Sequence, residues 1–140
     1  MRPREASRDQ VVRGNAAVLL AAVFCLGVIA CRERSLSVRE TAAMLTGGDP
    51  DRGRAAISRY GCGGCHNIPG VDGANATVGP PLDNIAMRSI LGGHLPNTPA
   101  NMMRWIQKPQ AVDPKNVMPD MNVTDDDARD ITAYLYTLRP

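Results

Sequence analysis

The chain has 140 residues, 44% hydrophobic, 21% charged and 4% aromatic, which bounds it at one domain with room for a tail. Sixteen basic against fourteen acidic side chains leave a formal charge of +2, too even for a nucleic-acid binder with its basic stripe. No apolar run reaches the ~18 residues of a conventional spanning helix, and four cysteines are too few for a disulfide scaffold. The aromatics are Phe24, Tyr60, Trp105, Tyr134 and Tyr136, and Phe24 lies in an N-terminal segment, so the folded part contains no phenylalanine. A domain near ~100 residues is already marginal in the surface it buries. The composition therefore points to a bound group that supplies apolar surface.

The N-terminal segment is set apart from the fold. Arg2, Arg4, Arg8 and Arg13 form a basic head diluted by Glu5 and Asp9, and residues 16–30 follow as an uncharged apolar run of fifteen, the length of a signal peptide. The run ends Val28-Ile29-Ala30-Cys31, which resembles a bacterial lipobox, whose cysteine is lipidated and becomes the mature N-terminus. An uncleaved anchor and a plain cleaved signal are the rival readings, and all three place the remainder outside the cytoplasm. Cys25, inside the run, reads as a small hydrophobe. Residues 1–30 are thus a signal peptide of lipoprotein type or a membrane anchor, 31–46 a flexible polar tether, and 47–140 the domain, with Gly47-Gly48 at its edge. From Cys31 onward twelve basic and twelve acidic residues cancel, so the basic character belongs to the head.

Three helices are expected in the domain. Asp49-Pro50 is an N-cap followed by a first-turn proline, and Gly53, Ala56, Ile57 and Tyr60 then share one face. Thr98-Pro99 repeats that start before a helix carrying Met102, Met103, Trp105 and Ile106, which should stop before Pro109. Thr124 with Asp127 has capping-box spacing, and Ala128, Ile131, Leu135 and Leu138 make a buried stripe. Tyr134 and Ile131 are expected to face Gly53 and Ile57 where the first and last of these helices cross, the small Gly53 permitting close approach. No segment alternates cleanly enough to be a strand, and the intervening stretches are rich in Gly and Pro. The fold class is all-α: three main helices plus loops wrapped around a bound group.

Cys62-Gly63-Gly64-Cys65-His66 names that group, because C-x-x-C-H is the attachment signal for c-type haem. Two thiols at this spacing reach the two vinyl groups of a porphyrin, and the adjacent histidine is held beneath the iron. Gly63 and Gly64 are expected to let the backbone pass close to the ring. A structural zinc site needs four ligands, and beyond these three only His94 remains in the domain. A thioredoxin-like pair expects a strand and helix around it. A Cys62–Cys65 disulfide leaves His66 unexplained.

The order of motifs resembles a monohaem class I cytochrome c over essentially the whole domain: a helix, C-x-x-C-H, Gly79-Pro80-Pro81-Leu82, Arg88, a helix ending at Pro109, Met118-Pro119 and a closing tyrosine-bearing helix. Leu95-Pro96-Asn97-Thr98-Pro99, Trp105-Ile106, Pro109-Gln110 and Met118-Pro119 resemble more closely the cytochrome c domain fused to subunit II of some bacterial haem-copper oxidases. The resemblance implies one covalent haem c on Cys62 and Cys65, with His66 as proximal iron ligand. Candidates for the sixth position on iron are Met44, Met87, Met102, Met103, Met118, Met121 and His94. Met102 and Met103 sit beside Trp105 on a helix and read as core, and Met44 lies in the tether. Met118, in a loop rimmed by Pro114 and Pro119, lies nine residues after Pro109, where the family carries its ligand. Met121 is the competitor, otherwise a lid over the haem, and His94 reads as a surface residue. The resemblance also implies that the Pro80 carbonyl meets the distal nitrogen of His66, that Arg88 lies near a propionate, and that Trp105 packs over the haem face. Arg88 as a solvated side chain and Trp105 as plain core are the alternatives. The family's second propionate-binding aromatic has no clear match.

By this resemblance the chain is an electron-transfer protein, not an enzyme, with no small-molecule substrate. Its partners are a redox donor and acceptor, a haem-copper terminal oxidase among the candidates, and the membrane through the N-terminal lipid or anchor, on the periplasmic side. The alternatives are a haem c subunit of a membrane oxidase or dehydrogenase, and a gas-binding or peroxidatic protein with an open iron. A flexible tether of about fifteen residues favours a carrier swinging between neighbours. Only Lys108 and Lys115 are present, so docking does not rest on a lysine ring. Asp120, Asp125, Asp126, Asp127 and Asp130 form either an acidic docking patch or a solvated helix start.

Overall fold

The computed structural model describes residues 36–140, so the 16–30 run and Cys31 lie outside the described residues. Among the described residues there are five α-helices: α1 Val38–Thr46, α2 Pro50–Arg59, α3 Pro99–Gln107, α4 Pro109–Val112 and α5 Asp125–Leu135. Single 3₁₀ turns at Cys62–Gly64 and Ile85–Met87, and an antiparallel pair of two-residue strands, β1 Ile90–Leu91 and β2 Leu95–Pro96, lie in the loops. None of these helices is long and apolar enough to cross a membrane.

The three expected helices start where their caps dictate. Asp49 accepts the backbone N–H of Asp51 at 2.8 Å, Thr98 that of Asn101 at 3.3 Å and Thr124 that of Asp127 at 3.2 Å. Proline occupies the first turn of α2 and of α3. The chain leaves α3 at Lys108 and makes one further turn, α4, from Pro109.

The tether read over residues 31–46 needs correction from Val38 onward. α1 is an ordered helix with Ala42 fully buried, packed chiefly on α5. Ser37 and Glu40 form a capping box: Ser37 N–H donates to the Glu40 carboxylate at 2.8 Å and Glu40 N–H to the Ser37 hydroxyl at 3.2 Å. Gly47 ends the helix at φ 70, a left-handed conformation that suits glycine. Gly48 then passes so close to α5 that a Cβ there would lie 2.7 Å from the Arg129 carbonyl carbon. The glycine pair is therefore a joint inside the domain and not its edge. A second difference is the β1–β2 pair, where the expectation was no strand. Gly92 and Gly93, at φ 54 and 81, turn the chain back, and the Asn97 amide donates to the Ile85 and Arg88 carbonyls at 2.8 Å each.

α5 is the central element, and its contact with α2 is the most extensive in the domain. Gly53 makes the crossing close: a Cβ there would lie 2.5 Å from the Asp130 carbonyl carbon and 3.1 Å from the Ile131 nitrogen. Beside it Asp130 accepts from Arg52 Nε at 2.7 Å and Arg52 Nη2 at 3.0 Å, and from the Asp49 backbone N–H at 2.7 Å. Burial alone would raise the Asp130 pKa, but the Arg52 and Asp49 hydrogen bonds outweigh it and hold the carboxyl below its ordinary range. Tyr134 donates from its hydroxyl to Pro69 O at 2.6 Å, which fixes the loop after the C-x-x-C-H segment to α5.

Candidate functional site

One apolar cleft gathers most of the expected residues. It is bordered by Cys62, Cys65 and His66, by Pro80, Leu82 and Arg88, by Met102 and Trp105, and by Met118 and Met121. Its floor is made by Ile57 of α2 and by Ile131 and Leu135 of α5, so the helix crossing that holds the fold together also backs the site.

The 3₁₀ turn explains how five residues present three reactive side chains to one space. Gly61 enters it at φ 69, and the N–H groups of Cys65 and His66 both donate to the Cys62 carbonyl, at 3.2 and 3.0 Å. Cys62, Cys65 and His66, three and four positions apart, consequently share a face. Burial pushes the Cys62 thiol up from its ordinary value, so it faces the cleft as a neutral side chain. Gly63 has a different reason from ring clearance. A Cβ there would come 2.7 Å from the Ala74 Cβ, so the glycine lets the following loop close over the turn. A Cβ added at Gly64 would meet nothing within 4 Å among the described residues beyond its chain neighbours.

His66 is oriented by backbone. Its Nδ1 donates to the Pro80 carbonyl at 2.7 Å, which fixes the tautomer and leaves the Nε2 lone pair free for a metal. The Gly79-to-Leu82 segment is held for this purpose by two ties: Gly79 N–H donates to Cys65 O and Leu82 N–H to Asn67 O, both at 2.8 Å. Gly79 crosses the imidazole so closely that a Cβ would lie 2.5 Å from His66 Cε1. Arg88 borders the same cleft, and its guanidinium donates to Pro81 O at 2.5 Å and Asp83 O at 3.2 Å, bracing that segment from the other side.

Of the candidate iron ligands, Met102, Met118 and Met121 border the cleft; Met44, Met87, Met103 and His94 do not. Met102 is core, 2% exposed. His94 lies instead 3.4 Å from Asp113 across the loop. Met118 is fixed on both sides of its own residue: its N–H donates to Asn116 Oδ1 at 2.9 Å, and its carbonyl accepts from the Gln110 amide. Met121 sits at the outer rim, 38% exposed. Trp105 lies against Gly92, where any Cβ would run into its ring.

Asn116 was not singled out from the sequence. Its Nδ2 is buried at the edge of the cleft and has no hydrogen-bond partner among the described residues, a cost of about 1–3 kcal/mol for a donor left so. A flat apolar macrocycle carrying carboxylates suits both the lining and this orphaned donor, and the residues present therefore fit a haem. The signal lay in its position two before Met118, whose N–H it accepts; its burial at the cleft depends on the path of the loop.

The aspartates beyond this loop are not a free acidic patch. Asp120 pairs with Lys108 at 2.8 Å, Asp126 with Arg129 at 2.7 Å and Asp127 with Arg59 at 2.6 Å. Asp125 accepts from Gln107 at 2.7 Å, and Asp127 also accepts the Tyr60 hydroxyl at 2.8 Å, which holds its carboxyl below the usual range. The solvated helix start, neutralised by its neighbours, is the reading the geometry supports.

The cytochrome c family model matches residues 50–139, which spans α2 to the end of α5 and the whole cleft. Neither a curated protein nor a solved structure matches the chain. With the match covering well over half of the chain, the protein belongs to the cytochrome c family, as a class I c-type cytochrome that carries electrons on one covalently bound haem c.

Proposed function

We propose that the protein is a membrane-anchored, periplasm-facing electron carrier of a respiratory chain, with Cys62 and Cys65 as the thioether positions and His66 and Met118 as axial ligands. When bound, haem c supplies a one-electron ferric/ferrous couple. The chain's own residues do the rest. Pro80 orients His66, Asn116 and Gln110 hold the Met118 residue in place, and the apolar floor and Trp105 keep water from the ring. A histidine–methionine pair raises the reduction potential relative to two histidines, which suits delivery to a late acceptor. The resemblance to the cytochrome domain of oxidase subunit II favours a haem-copper oxidase as that acceptor, and makes a haem subunit of such a complex the second reading. The observation that carries the proposal is that His66 and Met118 border one cleft, each fixed through backbone groups.

Met118→Ala tests it. The variant should keep its haem, lose potential and bind carbon monoxide, while Met121→Ala should change the potential little. If the wild type binds carbon monoxide readily or shows high-spin iron, a gas-binding or peroxidatic protein replaces the carrier.

A further inference from the structure

The cleft accounts for only part of the exposed apolar surface. Val78, Val117 and Met121 border it, but Leu36, Val38, Met44 and Leu45 are exposed within ten residues at the start of the domain, and no α1 residue lines the cleft. On α1, Val38, Thr41 and Leu45 fall at i, i+3 and i+7, with Met44 on the adjoining row, while Ala42 and Thr46 face the core. The outward face therefore carries Val38, Met44 and Leu45, with Thr41 among them and Glu40 one turn before Met44. Both charged side chains of α1 are engaged locally: Glu40 caps its own helix, and Arg39 pairs with Asp51 at 2.5 Å.

The length of chain before α1 identifies what meets this arc. The described domain begins at Leu36, and four residues, Arg32-Glu33-Arg34-Ser35, lie in sequence between it and Cys31. Five peptide units reach at most ~19 Å, less than the ~30 Å width of a domain of this size. A domain held at Cys31 would keep the start of α1 within that reach of the bilayer. Arg32 and Arg34 on that short link suit anionic lipid headgroups.

We propose that the outward arc of α1, Val38, Met44 and Leu45 with Leu36 before it, is a lipid-facing surface on which the domain rests against the membrane. The proposal rests on the anchoring reading above. Its consequence is that the domain rests on α1, whose residues do not border the cleft.

Two methionines provide the ruler, Met44 at 73% exposure and Met87 at 62%. The full chain, produced with its export signal and haem, is added to preformed phosphatidylethanolamine–phosphatidylglycerol vesicles and treated with taurine chloramine, an oxidant that does not enter lipid. Sulfoxide formation is read by peptide mass spectrometry. Met44 should oxidise several-fold more slowly than Met87, and Leu45→Glu should close the gap while the protein stays on the vesicles. Equal rates at Met44 and Met87 in vesicle-bound wild type would overturn the lipid-facing surface and leave anchoring intact. A wild-type protein that carries no lipid and does not bind the vesicles would overturn anchoring, and this surface with it.

Discussion

Gly53→Ala sets two familiar effects against each other. In an exposed helix the change stabilises by about 1 kcal/mol, because alanine is the better helix former. At Gly53 the new Cβ would lie 2.5 Å from the Asp130 carbonyl carbon and 3.1 Å from the Ile131 nitrogen, against the ~3.5 Å at which carbon atoms normally touch. Both obstacles are backbone of α5, which has no rotamer to move, so α2 and α5 must part by about 1 Å. Overpacking of this kind costs roughly 1–3 kcal/mol, and the upper end applies where the blocking atoms cannot yield. Against the propensity gain, the net loss should be about 2 kcal/mol. For a domain near 100 residues that lowers Tm by about 8–16 °C. The assay is thermal unfolding of the ferric holoprotein by far-ultraviolet circular dichroism. Ser58→Ala, on the exposed face of the same helix, serves as the control for propensity and should be neutral or slightly stabilising. A Gly53→Ala protein as stable as wild type would refute a helix crossing set by backbone contact.

Acid stability follows from the Asp130 clamp. A carboxyl whose folded pKa lies below its unfolded value, ordinarily ~3.9, contributes fully above that value and loses the contribution as pH falls through the folded one. Denaturant midpoints should therefore drop only below about pH 4, and Asp130→Asn should both lower them at neutral pH and flatten the acid slope; an unchanged slope would remove Asp130 from the account. In the axial loop, Asn116→Leu removes the acceptor for the Met118 N–H, worth about 1 kcal/mol, or a factor of about five in the population of open loop. Carbon monoxide binding to the ferrous protein should rise accordingly, and identical binding in wild type and variant would show that the loop is held by other means.

How far the sequence could be read depended on where its signals were local. The caps at Asp49, Thr98 and Thr124 act within four residues, so three helix starts were legible, as was the i, i+3, i+4 grouping of Cys62, Cys65 and His66. The start of α1 was equally local, since Ser37 and Glu40 spell a capping box. It is masked by the charges at Arg32, Glu33, Arg34, Arg39 and Glu40, and by an anchor in the core that is only an alanine, Ala42. The β1–β2 pair is too short for any alternation to register. Asn116 and the role of Gln110 beside Met118 are the instructive omissions. The meeting of Gln110 with Met118, eight residues on, and the burial of Asn116 at the cleft depend on a proline-rimmed loop whose path no periodicity encodes. The Gly63 contact with Ala74 likewise joins positions eleven apart through a turn visible only in three dimensions.

The central claim is a haem held covalently by this chain through Cys62 and Cys65. Protein produced with its export signal and a haem-ligation system should be denatured, extracted with acidified acetone and weighed intact by mass spectrometry. The account predicts that one haem per chain stays with the polypeptide, that Cys62→Ser or Cys65→Ser yields little folded protein, and that any which accumulates shows the shifted pyridine spectrum of a single thioether. Haem that leaves with the acetone from the wild type, or a Cys62→Ser Cys65→Ser double variant that still retains it, would contradict the account.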